Sequence, residues 1–251
     1  MTTPKILFGF HAVGVRLKTA PASVLEVHVD TTRRDARMRQ FVERAVEAGA
    51  RMIDSDEPRL TRLAGTSRHQ GVVARVVPLA PRHSLDDVLD DAEAAGRGPA
   101  LVLALDGVTD PHNLGACLRT ADGAGAHAVI APKDHAVGLN ATVSKVASGA
   151  AETVPYLMVT NLARSLGELQ DRGLRVVGTS DDAPRTLYEA DLKGPLALVL
   201  GAEGSGLRQL TRRTCDELVR IPMHGAVESL NVSVATALCL YEAVRQRVHA
   251  R

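Results

Sequence analysis

The sequence predicts an α/β protein whose larger, C-terminal domain contains a mostly parallel sheet. From residue 100 onward, short apolar runs such as ALVLALD, HAVIAP and LALVLG alternate with stretches of helical periodicity. Such alternation is typical of a parallel sheet covered by helices on both faces. The small-residue segment GAEGSGL directly follows one apolar run, as expected for a loop at the carboxyl end of a buried strand.

The composition supports two compact domains and argues against a disulfide-rich, metal-binding or membrane-spanning protein. The chain has 251 residues, 45% of them hydrophobic but only 2% aromatic, and no Trp, so we expect aliphatic cores. Cys117, Cys215 and Cys239 are odd in number and form no C-x-x-C pair, which predicts reduced thiols and no metal site. His11 interrupts the N-terminal apolar segment and no apolar run approaches about 18 residues. We therefore expect a soluble, cytoplasmic protein without a membrane partner.

Residues 1–77 are predicted to form a small α/β domain. VLEVHVD, RMIDSD and GVVARVVP are typical of strands, DARMRQFVERAVEAG predicts a helix that ends at Gly49, and a shorter helix is expected near Arg59. This part carries 13 Lys and Arg against 8 Asp and Glu, whereas the remainder carries 17 against 21. A basic N-terminal domain indicates a polyanionic partner, although an ordinary solvated surface is equally consistent with the charge.

Residues 78–98 are predicted to be a linker helix. Prolines precede an acidic amphipathic stretch that Ser84 could cap. We place the domain boundary near residue 78 and the second domain at residues 99–251.

Three polar or glycine-rich segments follow predicted strands of the second domain. They are residues 106–119, Thr179 and residues 201–206. The carboxyl ends of parallel strands meet at one edge of the sheet, where ligands bind in open α/β folds. Pro111 suits the first turn of a helix that would carry Asn113 and Arg119. We expect a ligand site at this edge.

The glycine-rich segment does not match the common phosphate-binding fingerprints. GAEGSGL has neither the Lys-Ser/Thr pair of a Walker loop nor G-x-G-x-x-G spacing. Glu203 would repel a phosphate, so the ligand is predicted to be cationic or uncharged there. Ser229 and Asn231 precede a predicted helix, Val232 to Val248, and could act simply as N-caps.

Three blocks together are more specific than any one of them. N-L-G-A-x-x-R-T-A, G-A-E-G-x-G-L and I-P-M…V-E-S-L-N-V-S-V-A occur in this order and closely resemble the signature motifs of the SpoU/TrmH family of RNA ribose 2′-O-methyltransferases. The resemblance covers residues 100–251. The front domain, with FGFHAV and HQGVVA, resembles the L30-like substrate-binding domain of family members that act on large-subunit rRNA.

The resemblance implies a C-terminal α/β domain tied in a deep trefoil knot that binds S-adenosylmethionine, preceded by the L30-like α/β domain. It implies cofactor contacts at Thr179, Gly201, Ile221 and Leu230. It implies a catalytic set of Asn113, Arg119, Glu203, Ser229 and Asn231. The reaction would be methylation of a ribose 2′-OH, of a guanosine in 23S rRNA, with no metal ion.

Family resemblance also implies a homodimer. The helix from Val232 to Val248 is our candidate interface, although burial in its own core is equally consistent with its aliphatic sequence. The rRNA partner would contact the basic front domain, with Arg33, Arg34, Arg37 and Arg39 as candidate phosphate contacts. A solvated helix face is the alternative for each of them.

Arg119 has two possible roles. The family proposal makes it a general base, but guanidinium groups normally stay protonated. We favour binding of a neighbouring phosphate or stabilisation of the developing alkoxide.

Three other functions remain open. A tRNA 2′-O-methyltransferase of the same family would share all catalytic residues but commonly has other flanking extensions. A non-catalytic rRNA-binding assembly factor would have no reason to keep the polar set together. A resistance methyltransferase acting on an rRNA adenosine would share the motifs.

Overall fold

The computed structural model describes residues 3–78 and 84–249. The chain divides into two compact units, Met1–Pro81 and Arg82–Arg251. None of the helices in the described ranges is long and apolar enough to cross a membrane.

The N-terminal unit contains a four-stranded sheet in the order β1-β4-β2-β3. Its strands are β1 (Lys5–Phe8), β2 (Val24–Asp30), β3 (Met52–Ser55) and β4 (Val72–Val76). Its helices are α1 (Phe10–Thr19), α2 (Ala36–Glu47) and α3 (Glu57–Ala64). The β2–β3 pair is parallel and the other two pairs are antiparallel.

Apolar side chains of α1 and α2 pack on one face of this sheet. Phe10, Val13, Phe41 and Ala45 share a buried cluster with alternate residues of β4, Ala74 among them. Strand side chains alternate between faces, and Leu60 of α3 is buried outside that cluster while its helix contacts β1, β2 and β4. Helix α3 therefore covers the opposite face.

The C-terminal unit contains a seven-stranded sheet within the described residues. The strands are β5 (Leu101–Asp106), β6 (Ala128–Pro132), β7 (Tyr156–Val159), β8 (Arg175–Thr179), β9 (Arg185–Thr186), β10 (Leu196–Gly201) and β11 (Glu217–Arg220). Their order is β7-β6-β5-β10-β8-β11-β9 and every described pair is parallel. The predicted parallel α/β domain is confirmed.

Helices cover both faces of this sheet. They are α4 (Leu85–Ala94), α5 (Pro111–Gly123), α6 (Ala141–Val146), α7 (Ala150–Thr153), α8 (Leu162–Asp171), α9 (Gln209–Thr214) and α10 (Val232–His249). Leu103 and Leu105 of β5 pack in the cluster that contains α5 and α10, whereas Val102 and Ala104 pack in the cluster that contains α4 and α8. A strand buried on both faces explains the continuous apolar run.

Helix α4 occupies the segment predicted as a linker. Ser84 caps it by accepting a hydrogen bond from Asp87 N at 3.0 Å. Leu89 is buried with α8, and Arg172 forms ion pairs with Asp86 and Asp90, so α4 packs within the second unit. The boundary predicted near residue 78 adjoins residues 79–83, which lie outside the described residues.

Helix α10 has one buried face and one exposed apolar face. Thr236, Cys239 and Leu240 are fully buried, whereas Val234 and Tyr241 are about half exposed, at 48% and 50%. The interpretation as part of the subunit's own core therefore holds for one face of the helix, and the other face is exposed.

The three cysteines are free thiols. Burial raises the pKa of Cys117 to about 11 and that of Cys239 to about 12. Burial, with the nearby carboxylates Asp216 and Asp106, raises the pKa of Cys215 to about 12. Thiolates are therefore scarce at neutral pH, and these thiols are poorly reactive.

Candidate functional site

The carboxyl ends of β5, β10 and β8 lie side by side. In the parallel register Gly201 is opposite Asp106, and Val199 is opposite Gly178. Thr179, the last residue of β8, donates a hydrogen bond from Oγ1 to Val199 O at 3.4 Å. The three segments predicted to meet at one sheet edge therefore do so.

The loop after β10 folds back on its own strand. A Cβ atom on Gly201 would lie 2.1 Å from the carbonyl carbon of Gly206, a distance that no side chain tolerates. Gly206 N donates to Ala202 O at 2.9 Å, and Gly204 and Gly206 have positive φ values of 78° and 63°. Glycine is required here for close backbone approach and left-handed conformations.

Asp106 ties this loop to β5. The residue is 1% exposed, and its carboxylate accepts hydrogen bonds from Arg208 N at 2.9 Å and Arg208 Nε at 2.6 Å. The sequence pattern alone predicted no role for this pair. An Asp that ends an otherwise apolar strand was the available signal, since buried carboxylates need a partner.

Glu203 connects the three signature segments. Its Oε1 accepts from Asn113 Nδ2 at 3.2 Å, from Asn231 Nδ2 at 2.6 Å and from Val232 N at 3.2 Å. Asn231 Nδ2 also donates to Asn113 Oδ1 at 3.0 Å. One carboxylate thereby joins the start of α5, the glycine-rich loop and the start of α10.

Asn231 is also the N-cap of α10. Its side-chain Oδ1 accepts from Ser233 N at 2.9 Å, and its carbonyl accepts from Val234 N and Ala235 N at 3.0 Å each. The cap satisfies backbone donors that a helix start leaves unpaired, and the helix dipole favours the Glu203 carboxylate beside it. Asn231 therefore acts as the expected N-cap and also takes part in the Glu203 hydrogen-bond cluster.

Arg119 and Ser229 are not part of that cluster. Both side chains are exposed and form no hydrogen bond or ion pair with any other described residue. Arg119 lies six residues after Asn113 on α5, about 9 Å farther along the helix axis.

The segment between β11 and α10 has few internal bonds. Ile221 and Leu230 are half-buried, and Ile221 packs against the main core. Within the described residues, backbone groups of 222–230 make no hydrogen bond to protein atoms. These free N–H and C=O groups next to apolar side chains can hold a ligand through backbone contacts.

The four arginines predicted to contact phosphate lie around the start of α2. Arg33 pairs with Asp35 and donates to Gln70 O at 2.7 Å, and Arg39 donates to Arg34 O at 3.2 Å. The guanidinium carbon of Arg37 lies 4.6 Å from the Phe10 ring centroid. Only Arg33 is half-buried, and the other three are exposed.

No group of three or more His, Cys, Asp or Glu side chains in residues 3–78 and 84–249 could hold a metal ion.

Fold and site together define a class. A parallel sheet whose polar cluster and unbonded backbone segment meet at the carboxyl ends of the strands is typical of a protein that binds a nucleotide-like ligand there. Residues 100–241 match the SpoU rRNA Methylase family, and residues 6–82 match the RNA 2′-O ribose methyltransferase substrate binding family. The chain belongs to the SpoU rRNA methylase family.

Similar proteins span nearly the whole chain. The 23S rRNA (guanosine-2′-O-)-methyltransferase RlmB of Ralstonia nicotianae is 62% identical over 247 residues, 98% of each chain. A crystal structure of an RNA 2′-O ribose methyltransferase has a TM-score of 0.76 at 27% identity, covering 98% of this chain and 90% of that chain. The SpoU methyltransferase AviRb of Streptomyces viridochromogenes, in complex with AdoMet, has a TM-score of 0.75 at 26% identity, covering 98% and 92%.

Proposed function

We propose that this chain transfers a methyl group from S-adenosylmethionine to the ribose 2′-OH of a guanosine in 23S rRNA. The observation that carries the proposal is the Glu203-centred cluster, which joins the three signature segments in one place. A relative that is 62% identical over 98% of this chain is named for this activity, and that likeness supports the choice of substrate. The activity would take place in the cytoplasm, where large subunits are assembled.

Thr179, Gly201, Ile221 and Leu230 are the proposed cofactor contacts. They lie at strand ends or in the segment with unbonded backbone groups, which fits a ligand held mainly by main-chain hydrogen bonds. The negative charge of Glu203 fits a cationic donor, as a phosphate would be repelled. When bound, S-adenosylmethionine supplies an electrophilic methyl group, and orientation of the acceptor then provides much of the acceleration.

Arg119 is the proposed contact for charge on the substrate. Because its guanidinium has no partner among the described residues, it is available to bind a phosphate next to the reacting ribose or to stabilise the developing alkoxide. Ser229 is equally unpartnered and would orient the ribose. Asn113, Glu203 and Asn231 would hold the loop and helix that carry these contacts.

We further propose that residues 1–77 bind substrate, that residues 99–251 carry catalysis, and that the latter are knotted. A knot would bring the C-terminal segment against the glycine-rich loop, and Glu203 of that loop does accept hydrogen bonds from Asn231 and Val232.

The exposed apolar face of α10 supports a homodimer. Val234, Leu238 and Tyr241 lie on one helix face next to Tyr188, and these four side chains are 36% to 53% exposed. Leu238→Asp is expected to shift the chain to monomer in sedimentation velocity. Leu210→Asp, at a 60% exposed position on α9, is the matched control and should leave the assembly unchanged.

The four arginines near α2 would contact phosphates. Neutralising Arg33, Arg34, Arg37 and Arg39 together should weaken RNA binding and flatten its salt dependence. Unchanged affinity would contradict the assignment.

Mapping of 2′-O-methylation in rRNA and tRNA from a deletion strain tests the function. We expect loss of one large-subunit guanosine mark, restored by the wild-type chain. Loss of a tRNA mark instead would support the alternative substrate and contradict the rRNA assignment. If no mark is lost, the proposal that the chain is a methyltransferase is contradicted.

A further inference from the structure

A groove of about 680 Å³ runs between α1 and α2 of the N-terminal unit. This volume is within the range of pockets that hold small ligands, roughly 300–1,000 Å³. Lys18, Arg37 and Arg44 line it with a single acid, Glu47. The excess of cations suits an anionic occupant.

Two guanidinium groups lie over an aromatic ring that lines the groove. Phe10 is 7% exposed, and the guanidinium carbons of Arg37 and Arg33 lie 4.6 Å and 5.0 Å from its ring centroid. Phe41 contacts the same ring edge-on, with 5.5 Å between centroids. Cation–π contact restrains the guanidinium groups, and a planar guanidinium so held offers its outer face for stacking of a nucleobase.

Gly14 forms part of the groove wall. It lies in the interior of α1, where glycine is unfavourable relative to alanine. A Cβ atom there would meet nothing within 4 Å, so packing of the protein itself does not require glycine. The missing side chain instead lets a ligand approach the helix backbone.

We propose that this groove binds an unpaired nucleotide segment of the RNA substrate. A base stacks on the face of the Arg37 guanidinium, whose N–H edge is left for the phosphate contact proposed above, and the sugar-phosphate backbone follows Lys18 and Arg44 past Gly14. Only an unpaired base can reach a guanidinium plane in this way. The inference rests on the proposed function, which makes RNA the substrate.

Filling the groove is the first test. The full-length chain is titrated against a labelled single-stranded 12-mer RNA, followed by fluorescence anisotropy. Gly14→Gln should weaken binding about tenfold without lowering the melting temperature, because glutamine is a good helix former. The control Gly167→Gln makes the same change on α8, where a Cβ also meets nothing within 4 Å, and should leave affinity unchanged.

Removing charge is the second test. Lys18→Gln with Arg44→Gln should reduce the slope of log affinity against log salt by about 1.4, at about 0.7 per phosphate contact in a single strand. Arg59→Gln with Arg62→Gln, on α3 across the sheet, should leave the slope unchanged.

Three outcomes would contradict the proposal that the groove binds an unpaired RNA segment. They are equal affinity of the Gly14 and Gly167 variants, preference for a duplex of the same sequence, and equally strong competition by poly-L-glutamate, which would indicate an acidic-peptide site. The proposed function is tested separately by methylation of 23S rRNA by the wild-type chain. If the wild type methylates rRNA while the groove variants bind RNA normally, only the proposed groove site is contradicted. If the wild type binds the 12-mer in the groove but methylates no rRNA, only the proposed function is contradicted.

Discussion

Glu203 and Arg119 are both charged members of the proposed catalytic set, yet the protein holds them very differently. One Glu203 oxygen accepts three hydrogen bonds from two other segments, while the Arg119 side chain forms no hydrogen bond or ion pair with any other described residue. The difference indicates a division of labour. Glu203 maintains the architecture of the site, and Arg119 is available for the substrate.

Arg119→Ala should separate activity from stability most strongly. Loss of a group that stabilises charge in the transition state is expected to reduce kcat by about 10³-fold. The melting temperature should stay within about 1 °C, since the side chain is exposed and unpartnered. Tritium transfer from labelled S-adenosylmethionine and thermal unfolding measure the two effects.

The pH profile of the wild type sharpens the role of Arg119. A flat kcat between pH 6 and 9 is expected if no group titrates in the reaction.

A parallel fall in activity and melting temperature in Arg119→Ala would contradict the separate roles given to Glu203 and Arg119.

Glu203→Ala should reduce both quantities. We expect a fall in kcat of about 10²-fold and in the free energy of unfolding of about 1–3 kcal/mol, because Val232 N and two amide side chains lose their acceptor. Glu228→Ala is the control, as Glu228 is exposed and has no partner in the described chain. Unchanged unfolding of Glu203→Ala would show that the cluster does not hold the site together.

Asp106→Asn should affect cofactor binding more than chemistry. The change removes the ion pair with Arg208 that anchors the glycine-rich loop, so KM for S-adenosylmethionine should rise about tenfold with a smaller change in kcat. Asp182→Asn removes an exposed pair with Arg212 and serves as control. Equal kinetics for the two variants would contradict the anchoring role.

The smallest effect is expected at the opposite end of β5, where a substitution should change stability but not activity. His127 is buried there, and its Nδ1 accepts from Leu101 N at 3.0 Å. Burial first, and the cations Arg97 and Arg247 next, lower the pKa of this histidine. The unfolded chain therefore binds a proton more readily than the folded chain.

His127 stabilisation is thus complete above a pH of about 6.5, the ordinary histidine pKa, and is lost as the pH falls through the lowered folded pKa. Urea unfolding between pH 7.5 and 5 should show this slope, and His127→Asn, which keeps an acceptor for Leu101 N, should flatten it. Methyl transfer at pH 7.5 should not change. An unaltered slope would assign the pH dependence to other groups.

Regular elements with clear periodicity were predictable, and short or tertiary ones were not. The strands β5, β6 and β10 and the helices α2 and α5 follow directly from the apolar pattern and from the residues at the helix ends. The two-residue β9 and the strand β11 have no local signal, because pairing with neighbours defines them.

The site was predictable as a set of residues but not as a geometry. Asn113, Glu203 and Asn231 are up to 118 residues apart, and no periodicity could show that one carboxylate joins them. The Asp106–Arg208 pair was missed because an arginine after a glycine-rich loop resembles an ordinary surface charge.

The poorly reactive native thiols make this chain a convenient host for spectroscopic probes. Since thiolates are scarce at all three native cysteines at neutral pH, a single cysteine introduced at an exposed position such as Glu228 should react selectively with a maleimide dye or spin label. Pairs of such labels on the wild-type background could then follow the segment of residues 222–230 as cofactor and RNA are added.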